Sequence, residues 1–174
     1  MRAAFRVDAS RAIGTGHVGR CLTLAAALRD AGGDALFLCR AHDGHLNAKI
    51  EEAGFPVLSL PKRNDTDDDL AHSHWLGATQ ADDAKASIAA LAGHRIDWLV
   101  VDHYGLDARW ESALRRHAHR ILAIDDLADR SHDCDLLLDQ NFFLDAASRY
   151  DGLLPDHCRP LLGPRYAVLR RGLR

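Results

Sequence analysis

The chain has 174 residues, of which 47% are hydrophobic and 27% charged, values that are ordinary for one soluble globular domain. A formal net charge of -3 argues against a general nucleic-acid-binding protein, because such proteins usually carry a basic face. The apolar runs are too short to cross a membrane, and charge interrupts the first residues, so we expect a cytoplasmic protein with neither a signal peptide nor a membrane segment.

Apolar runs alternate with amphipathic segments along the chain. The predicted strands are residues 3–7, 35–39, 56–60, 98–101, 120–124 and 136–138. The predicted helices are residues 18–31, 46–53, 82–92 and 109–117, with glycines ending the first two. This alternation predicts an α/β fold, in which a Rossmann-like, mostly parallel sheet is covered by helices on both faces.

The loop between the first strand and the first helix is the most informative segment. Gly14, Thr15 and Gly16 precede the helix, whose N-terminal N–H groups attract anions. His17 stands beside them, and a titratable imidazole there indicates acid–base chemistry on a phosphorylated or nucleotide-linked substrate. Asp8, at the end of the strand, is a candidate to orient that ring.

Two other interpretations of this loop stay open. Gly14, Gly16 and Gly19 match the GxGxxG dinucleotide pattern, but the first glycine lies far from the strand end. Arg40 also stands where that pattern needs an acidic residue, so a nicotinamide enzyme is the weaker hypothesis. A glycine-rich turn without any ligand is the second alternative.

Three further motifs follow predicted strands, at residues 102–105, 125–126 and 139–141. Ligands of open α/β sheets bind where strands end, so the coincidence favours a site. The alternative for Asp102 is a cap on the next helix. The pair Asp125 and Asp126 offers two carboxylates for a metal or for acid–base work. We favour a structural role instead, in which one carboxylate caps a turn and the other pairs with Arg130.

Other conspicuous residues are expected to be structural. The polar segment 64–78 predicts a solvated surface loop, and its two histidines fit no standard metal site. The spacing of Trp110 and Leu114 is typical of the core face of a helix. The four cysteines show no CxxC spacing, so we expect reduced thiols and no zinc site or disulfide framework.

Taken in order, the motifs resemble the UDP-sugar hydrolase family of pseudaminic acid biosynthesis. The resemblance is carried by segments 6–22, 102–111, 124–135, 139–141 and 163–170. It implies a metal-independent, cofactor-free, inverting hydrolase with a GT-B-like architecture of two Rossmann-type domains, similar to MurG-type glycosyltransferases. The substrate would be a UDP-linked deoxy-diacetamido sugar, and the products UDP and 2,4-diacetamido-2,4,6-trideoxy-L-altrose.

The resemblance also implies roles for particular residues. His17 would activate water, and Tyr104 would be the second catalytic residue. The implied substrate-binding residues are Arg6, Asp8, Ser10, Gly14, Thr15, Gly16, Asp102, His103 and Asn141.

The resemblance further implies that the chain corresponds to the N-terminal half of such an enzyme. Residues 1–164 would form the sugar-side catalytic domain and residues 165–174 would start an interdomain linker. Because the C-terminal nucleotide-binding domain would then be missing, we expect weak or no hydrolysis by this chain alone. The alternatives are a non-catalytic binding module of the same fold and half of a nucleotide-sugar glycosyltransferase.

Overall fold

The fold is built around one seven-stranded sheet. A computed structural model of the protein describes residues 1–63, 65–66 and 69–169. The strands are β1 (Arg2–Val7), β2 (Asp34–Arg40), β3 (Val57–Leu60), β4 (Trp98–Asp102), β5 (Arg120–Ile124), β6 (Leu136–Asp139) and β7 (Arg159–Leu162). The helices are α1 (Gly16–Asp30), α2 (Asn47–Glu52), α3 (Gln80–Ala90) and α4 (Ala108–Leu114), with 3-10 turns at Ser73–Trp75 and Pro164–Tyr166.

All neighbouring strands are parallel, in the order β3-β2-β1-β4-β5-β6-β7. Side chains of β1 alternate between two apolar clusters, with Ala4 in one and Phe5 in the other. The first cluster packs against α3 and α4, and the second against α1 and α2. Helices therefore cover both faces, and the predicted α/β class is confirmed.

The predicted elements agree with the structure to within one to three residues at each end. Gly32 and Gly54 follow α1 and α2 with positive φ angles of 82° and 84°, as expected for residues that end helices. The burial of Trp110 and Leu114 is also confirmed. Within the described part of the chain, no helix is long and apolar enough to cross a membrane.

Strand β7 is absent from the sequence prediction. It has only four residues and includes Pro160, and a proline inside a short run argues against a strand. The structure places β7 at the edge of the sheet, where it pairs with β6 alone. An edge strand tolerates proline because its outer N–H groups have no ladder partner.

The prediction of a solvated loop at 64–78 is wrong for part of that segment. Residues 64, 67 and 68 lie outside the described residues. Further along, Ser73, Leu76 and Ala78 are buried, and Leu76 joins the first apolar cluster. The few apolar residues of this segment follow neither a helical nor a strand period, so the pattern was too weak to predict this packing.

The segment after β7 stays against the domain as far as it is described. Tyr166 and Val168 pack against the second apolar cluster. The N–H of Val168 donates to the side-chain oxygen of Gln140 at 3.0 Å. Residues 170–174, the rest of the predicted linker, lie outside the described residues.

Candidate active site

The candidate site lies where β1 and β4 end side by side. These strands are neighbours in the sheet but not in the chain, and the strand order reverses between them. Val7 of β1 is in register with Asp102 of β4. Open α/β sheets bind ligands in the crevice outside such a reversal. The loop after β1 leads into α1, so the first turn of that helix brings His17 to this crevice.

His17 is held through one ring nitrogen. Its Nδ1 lies 2.5 Å from Oδ1 of Asp102, and its side chain is 10% exposed. Since Asp102 is an ionised acceptor, we assign the ring proton to Nδ1, which then donates to the carboxylate; Arg20 Nη2 lies 3.1 Å from the same nitrogen. No group in the described part of the chain hydrogen-bonds Nε2. In the neutral form of the ring, Nε2 is therefore the basic nitrogen, and none of the described residues occupies it.

Asp102 is fully buried and clamped by a cation. Arg20 donates from Nε to Oδ2 and from Nη2 to Oδ1, both at 2.6 Å. Burial alone would raise the pKa of Asp102, but the hydrogen bonds from Arg20 and His17 hold that pKa well below its usual range. The carboxylate therefore remains charged and fixes the orientation of the imidazole.

These contacts correct two expectations about aspartates. The residue that orients His17 is Asp102, not Asp8, because the paired strand end points at the first turn of α1. Asp102 is also not the cap of the following helix. That role belongs to Asp107, whose carboxylate accepts the N–H of Arg109 at 2.9 Å.

The ring of Tyr104, two residues after the end of β4, lies against that of His17. The two rings meet edge to face, with centroids 4.7 Å apart. The Tyr104 hydroxyl donates to Oδ1 of Asp126 at 2.5 Å, and Asn141 Nδ2 donates to Oδ2 at 2.7 Å. Burial and the Asp126 carboxylate raise the pKa of Tyr104, so its hydroxyl stays neutral. Side chains from the ends of β4, β5 and β6 thus form one network.

The structure corrects the roles predicted for Asp125 and Asp126, one as a turn cap and the other as the partner of Arg130. Asp125 both accepts the N–H of Ala128 at 2.9 Å and pairs with Arg130 at 2.8 Å. Asp126 does neither and turns to Tyr104. Consecutive residues leaving a strand face opposite sides, which separates the two carboxylates.

The loop before α1 is a tight turn. Ser10 Oγ accepts the N–H of Ile13 at 3.0 Å, and Gly14 donates its N–H to the Ser10 carbonyl at 2.8 Å. Thr15 and Gly16 are exposed at the start of α1, where no side chain of the described residues caps the helix. A cavity of about 250 Å³ adjoins this helix end and is lined partly by Thr15, Gly16 and Lys49.

Three predicted substrate-binding residues are buried beneath the crevice. Arg6, Asp8 and His103 are 0%, 1% and 3% exposed. Arg6 pairs with Asp8 and Asp83 at 2.7 Å, and His103 Nε2 lies 3.3 Å from Asp8. Burial lowers the pKa of His103, although Asp8 opposes this. In this structure the three contact protein groups, so their contact with a ligand stays a prediction.

Arg20 and Asp126 are the site residues that sequence reasoning missed. Arg20 lies three residues after His17, so helical spacing puts both side chains on one face of α1. That spacing could have identified it. Asp126 could be assigned only once the strand ends were known to be adjacent. Among the described residues, no cluster of three or more His, Cys, Asp or Glu side chains is arranged to hold a metal ion.

Comparison with known proteins supports the resemblance. No family model matches the chain. The chain is 30% identical over 171 residues to the UDP-2,4-diacetamido-2,4,6-trideoxy-beta-L-altropyranose hydrolase of Campylobacter jejuni. The predicted resemblance is confirmed. The alignment covers 98% of this chain but 52% of the relative, so the chain spans about half the length of that hydrolase.

The fold comparison agrees with the motif-based expectation. The crystal structure of MurG from Acinetobacter baumannii matches with a TM-score of 0.53 and 12% sequence identity. The match covers 78% of this chain and 40% of MurG. At this identity the likeness concerns the fold alone, and it confirms a sheet and helix arrangement like that of a GT-B domain.

Proposed function

We propose that the chain is the catalytic, sugar-side half of a hydrolase that cleaves a UDP-linked diacetamido-trideoxy sugar into UDP and the free sugar. One observation carries this proposal: the His17 ring is anchored through Nδ1 to the buried Asp102, while Nε2 has no partner among the residues that the structure describes. A histidine held in this way is arranged to accept a proton. The aligned hydrolase supplies the substrate class.

In the proposed reaction, Nε2 of His17 removes a proton from water as the water oxygen attacks the anomeric carbon. The bond from that carbon to the diphosphate oxygen breaks, and UDP leaves with the electron pair. Attack on the face opposite to UDP inverts the configuration. Asp102 then stabilises the imidazolium by its negative charge, without itself taking the proton.

The other proposed roles follow from position. Tyr104 would orient water or the sugar through its neutral hydroxyl, with Asn141 and Asp126 fixing that hydroxyl. Gly16 and its neighbours Thr15 and Gly14 lie at the uncapped N-terminus of α1, which suits diphosphate oxygens. Ser10 would hold the turn. The uridine would bind mainly to a second half that follows residues 165–174.

The experiment is to join the chain to a nucleotide-binding half and to measure UDP release from the UDP-linked sugar. We expect His17→Asn to lower the rate at least ~100-fold, the usual contribution of a general base. His117→Asn, at an exposed histidine just after α4, is the matched control and should leave the rate unchanged. Full activity of His17→Asn would contradict the proposal.

Labelled water separates hydrolysis from transfer. A reaction in H2(18)O should place one heavy oxygen on the released sugar, at the anomeric carbon, and none on UDP. Label on UDP would mean that the phosphorus–oxygen bond breaks. Release of UDP with the sugar joined to another acceptor would instead support a glycosyltransferase.

A further inference from the structure

A short segment packs over the candidate site and forms what we call the aromatic wall, residues 72–77. It enters the core through Leu76, which is 1% exposed. The His72 carbonyl lies so close to Gly105 that a Cβ there would be 2.9 Å from it. At the other end, a Cβ on Gly77 would lie 2.8 Å from the His42 ring. The aromatic wall is therefore seated against the loop that carries Tyr104.

The aromatic wall continues the row of rings that begins at His17. Trp75 stacks on Tyr104 with centroids 5.7 Å apart and an interplanar angle of 28°. His72 contacts both rings, with centroids 4.5 Å from Trp75 and 5.4 Å from Tyr104. Tyr104 in turn touches His17 at 4.7 Å. One aromatic surface thus extends from the proposed base to Trp75.

Trp75 and Tyr104 are only half-buried. The Tyr104 ring lies between this indole and the candidate catalytic histidine, so the exposed part of Trp75 is an apolar surface one ring away from His17. Aromatic side chains contribute large apolar contact areas to binding sites. The core does not need this exposed area, because Leu76 and Ala78 already anchor the segment.

We propose that Trp75 determines substrate specificity by packing against the apolar substituents of the sugar. This inference rests on the proposed function and deepens it. A 2,4-diacetamido-2,4,6-trideoxy sugar presents two acetamido methyl groups and a methyl at carbon 6, where an ordinary hexose presents hydroxyls. Burying a single methyl changes affinity about fourfold, so complete burial of two of them would give about 15-fold and partial burial about tenfold.

The test compares binding by the otherwise wild-type chain, Trp75→Ala and Trp75→Phe, each joined to a nucleotide-binding half. All proteins in the binding tests also carry His17→Asn, so that the probe is not hydrolysed during the measurement. The probes are the UDP-linked diacetamido-trideoxy sugar and UDP-glucose, measured by calorimetry. We expect Trp75→Ala to bind the first about tenfold more weakly and UDP-glucose unchanged. Trp75→Phe should lose less than threefold. Trp98→Phe, at a half-buried tryptophan on the amino end of β4, is the control and should match wild type.

Intrinsic fluorescence gives a second readout that does not depend on turnover. Besides Trp75, the chain contains Trp98, at the opposite end of β4, and Trp110, which is buried in the core. The sugar should therefore change the emission of wild type and of Trp98→Phe, but not of Trp75→Phe. UDP-glucose should change it little.

The outcomes separate this inference from the proposed function. If the sugar is hydrolysed and Trp75→Ala keeps wild-type affinity, Trp75 has no such role and the hydrolase assignment stands. If binding depends on Trp75 but UDP is never released, the hydrolase assignment is wrong and the specificity role stands. Wild-type binding of the diacetamido sugar no tighter than that of UDP-glucose overturns the inference whatever the turnover.

Discussion

Asp102 shows how one buried side chain can prepare another for chemistry. A buried carboxylate loses its hydrogen bonds to water, and protein groups must replace them. Arg20 and His17 together donate to both oxygens of Asp102. The pair with Arg20 keeps the charge, and the bond to His17 fixes which ring nitrogen is protonated. The same three residues therefore keep the carboxylate charged and fix the orientation of the imidazole.

Replacing Asp102 with Asn should remove the charge while nearly preserving the shape. We expect a fall of at least ~100-fold in kcat in the joined two-half protein, because the imidazolium loses its counter-charge. KM should change far less, since Asp102 is fully buried. Asp133→Asn, at a half-exposed carboxylate paired with Arg115, is the comparison variant. A kcat equal to that of Asp133→Asn would show that Asp102 does not act through His17.

Tyr104→Phe isolates the hydroxyl from the ring. The ring contacts with His17 and Trp75 remain, while the bond to Asp126 is lost. We expect the unfolding free energy to drop by about 1 kcal/mol and the rate of UDP release by about tenfold or more. Denaturant unfolding and steady-state kinetics measure the two effects. An unchanged rate with reduced stability would restrict Tyr104 to a structural role.

Among the elements, α3 has a capped first turn and carries a carboxylate that forms ion pairs beneath the candidate site. Thr79 accepts the N–H of Asp82 at 3.1 Å and so caps the helix. One turn later, Asp83 holds Arg6 and Arg40, each at 2.7 Å. The start of α3 therefore positions the buried ion pairs under the ends of β1 and β2.

Thr79→Ala should lower the unfolding free energy by about 1 kcal/mol, because the first turn of α3 loses its side-chain acceptor. Thr79→Ser keeps an acceptor oxygen and should remain within a few tenths of a kcal/mol of wild type. Urea denaturation of both variants is the measurement. Equal stability of Thr79→Ala and Thr79→Ser would mean that the cap contributes nothing.

The elements also show how far sequence reasoning reaches. Strong alternation and end-of-helix glycines predicted six strands, four helices and the crevice at the strand ends, because local patterns encode these features. Strand β7 was not predicted, because it forms through pairing with β6 and its own residues have little strand pattern. Contacts such as Tyr104 with Asp126, 22 residues apart, depend on which strands become neighbours, and local spacing does not encode that.

For the whole molecule, a buried histidine couples stability to pH. Burial opposes the charged form of His132, but Asp125 and Glu111 outweigh it and raise the pKa of His132 from 6.5 to about 9. The folded state therefore keeps a proton between these values that the unfolded state releases. This stabilisation is complete below pH 6.5 and is lost as the pH rises through about 9.

We expect the unfolding free energy to fall with rising pH over this window, by up to about 3 kcal/mol from this group. His132→Gln removes the titrating group and should flatten the decline between pH 6.5 and 9, whatever its effect on absolute stability. Chemical denaturation at several pH values measures the slope. The same slope in wild type and His132→Gln would show that other groups control the pH response.

The close approach at Gly105 has a consequence for how the substrate range of such a protein changes over time. A methyl group at this position would stand 2.9 Å from the His72 carbonyl and 3.1 Å from the His103 ring, and neither neighbour is a free side-chain end. Even alanine would force residues 72–77 or the loop of Tyr104 to shift, and this would change the stacking of Trp75 on Tyr104. A sugar of a different size could then be accommodated through a mutation whose own atoms never meet it.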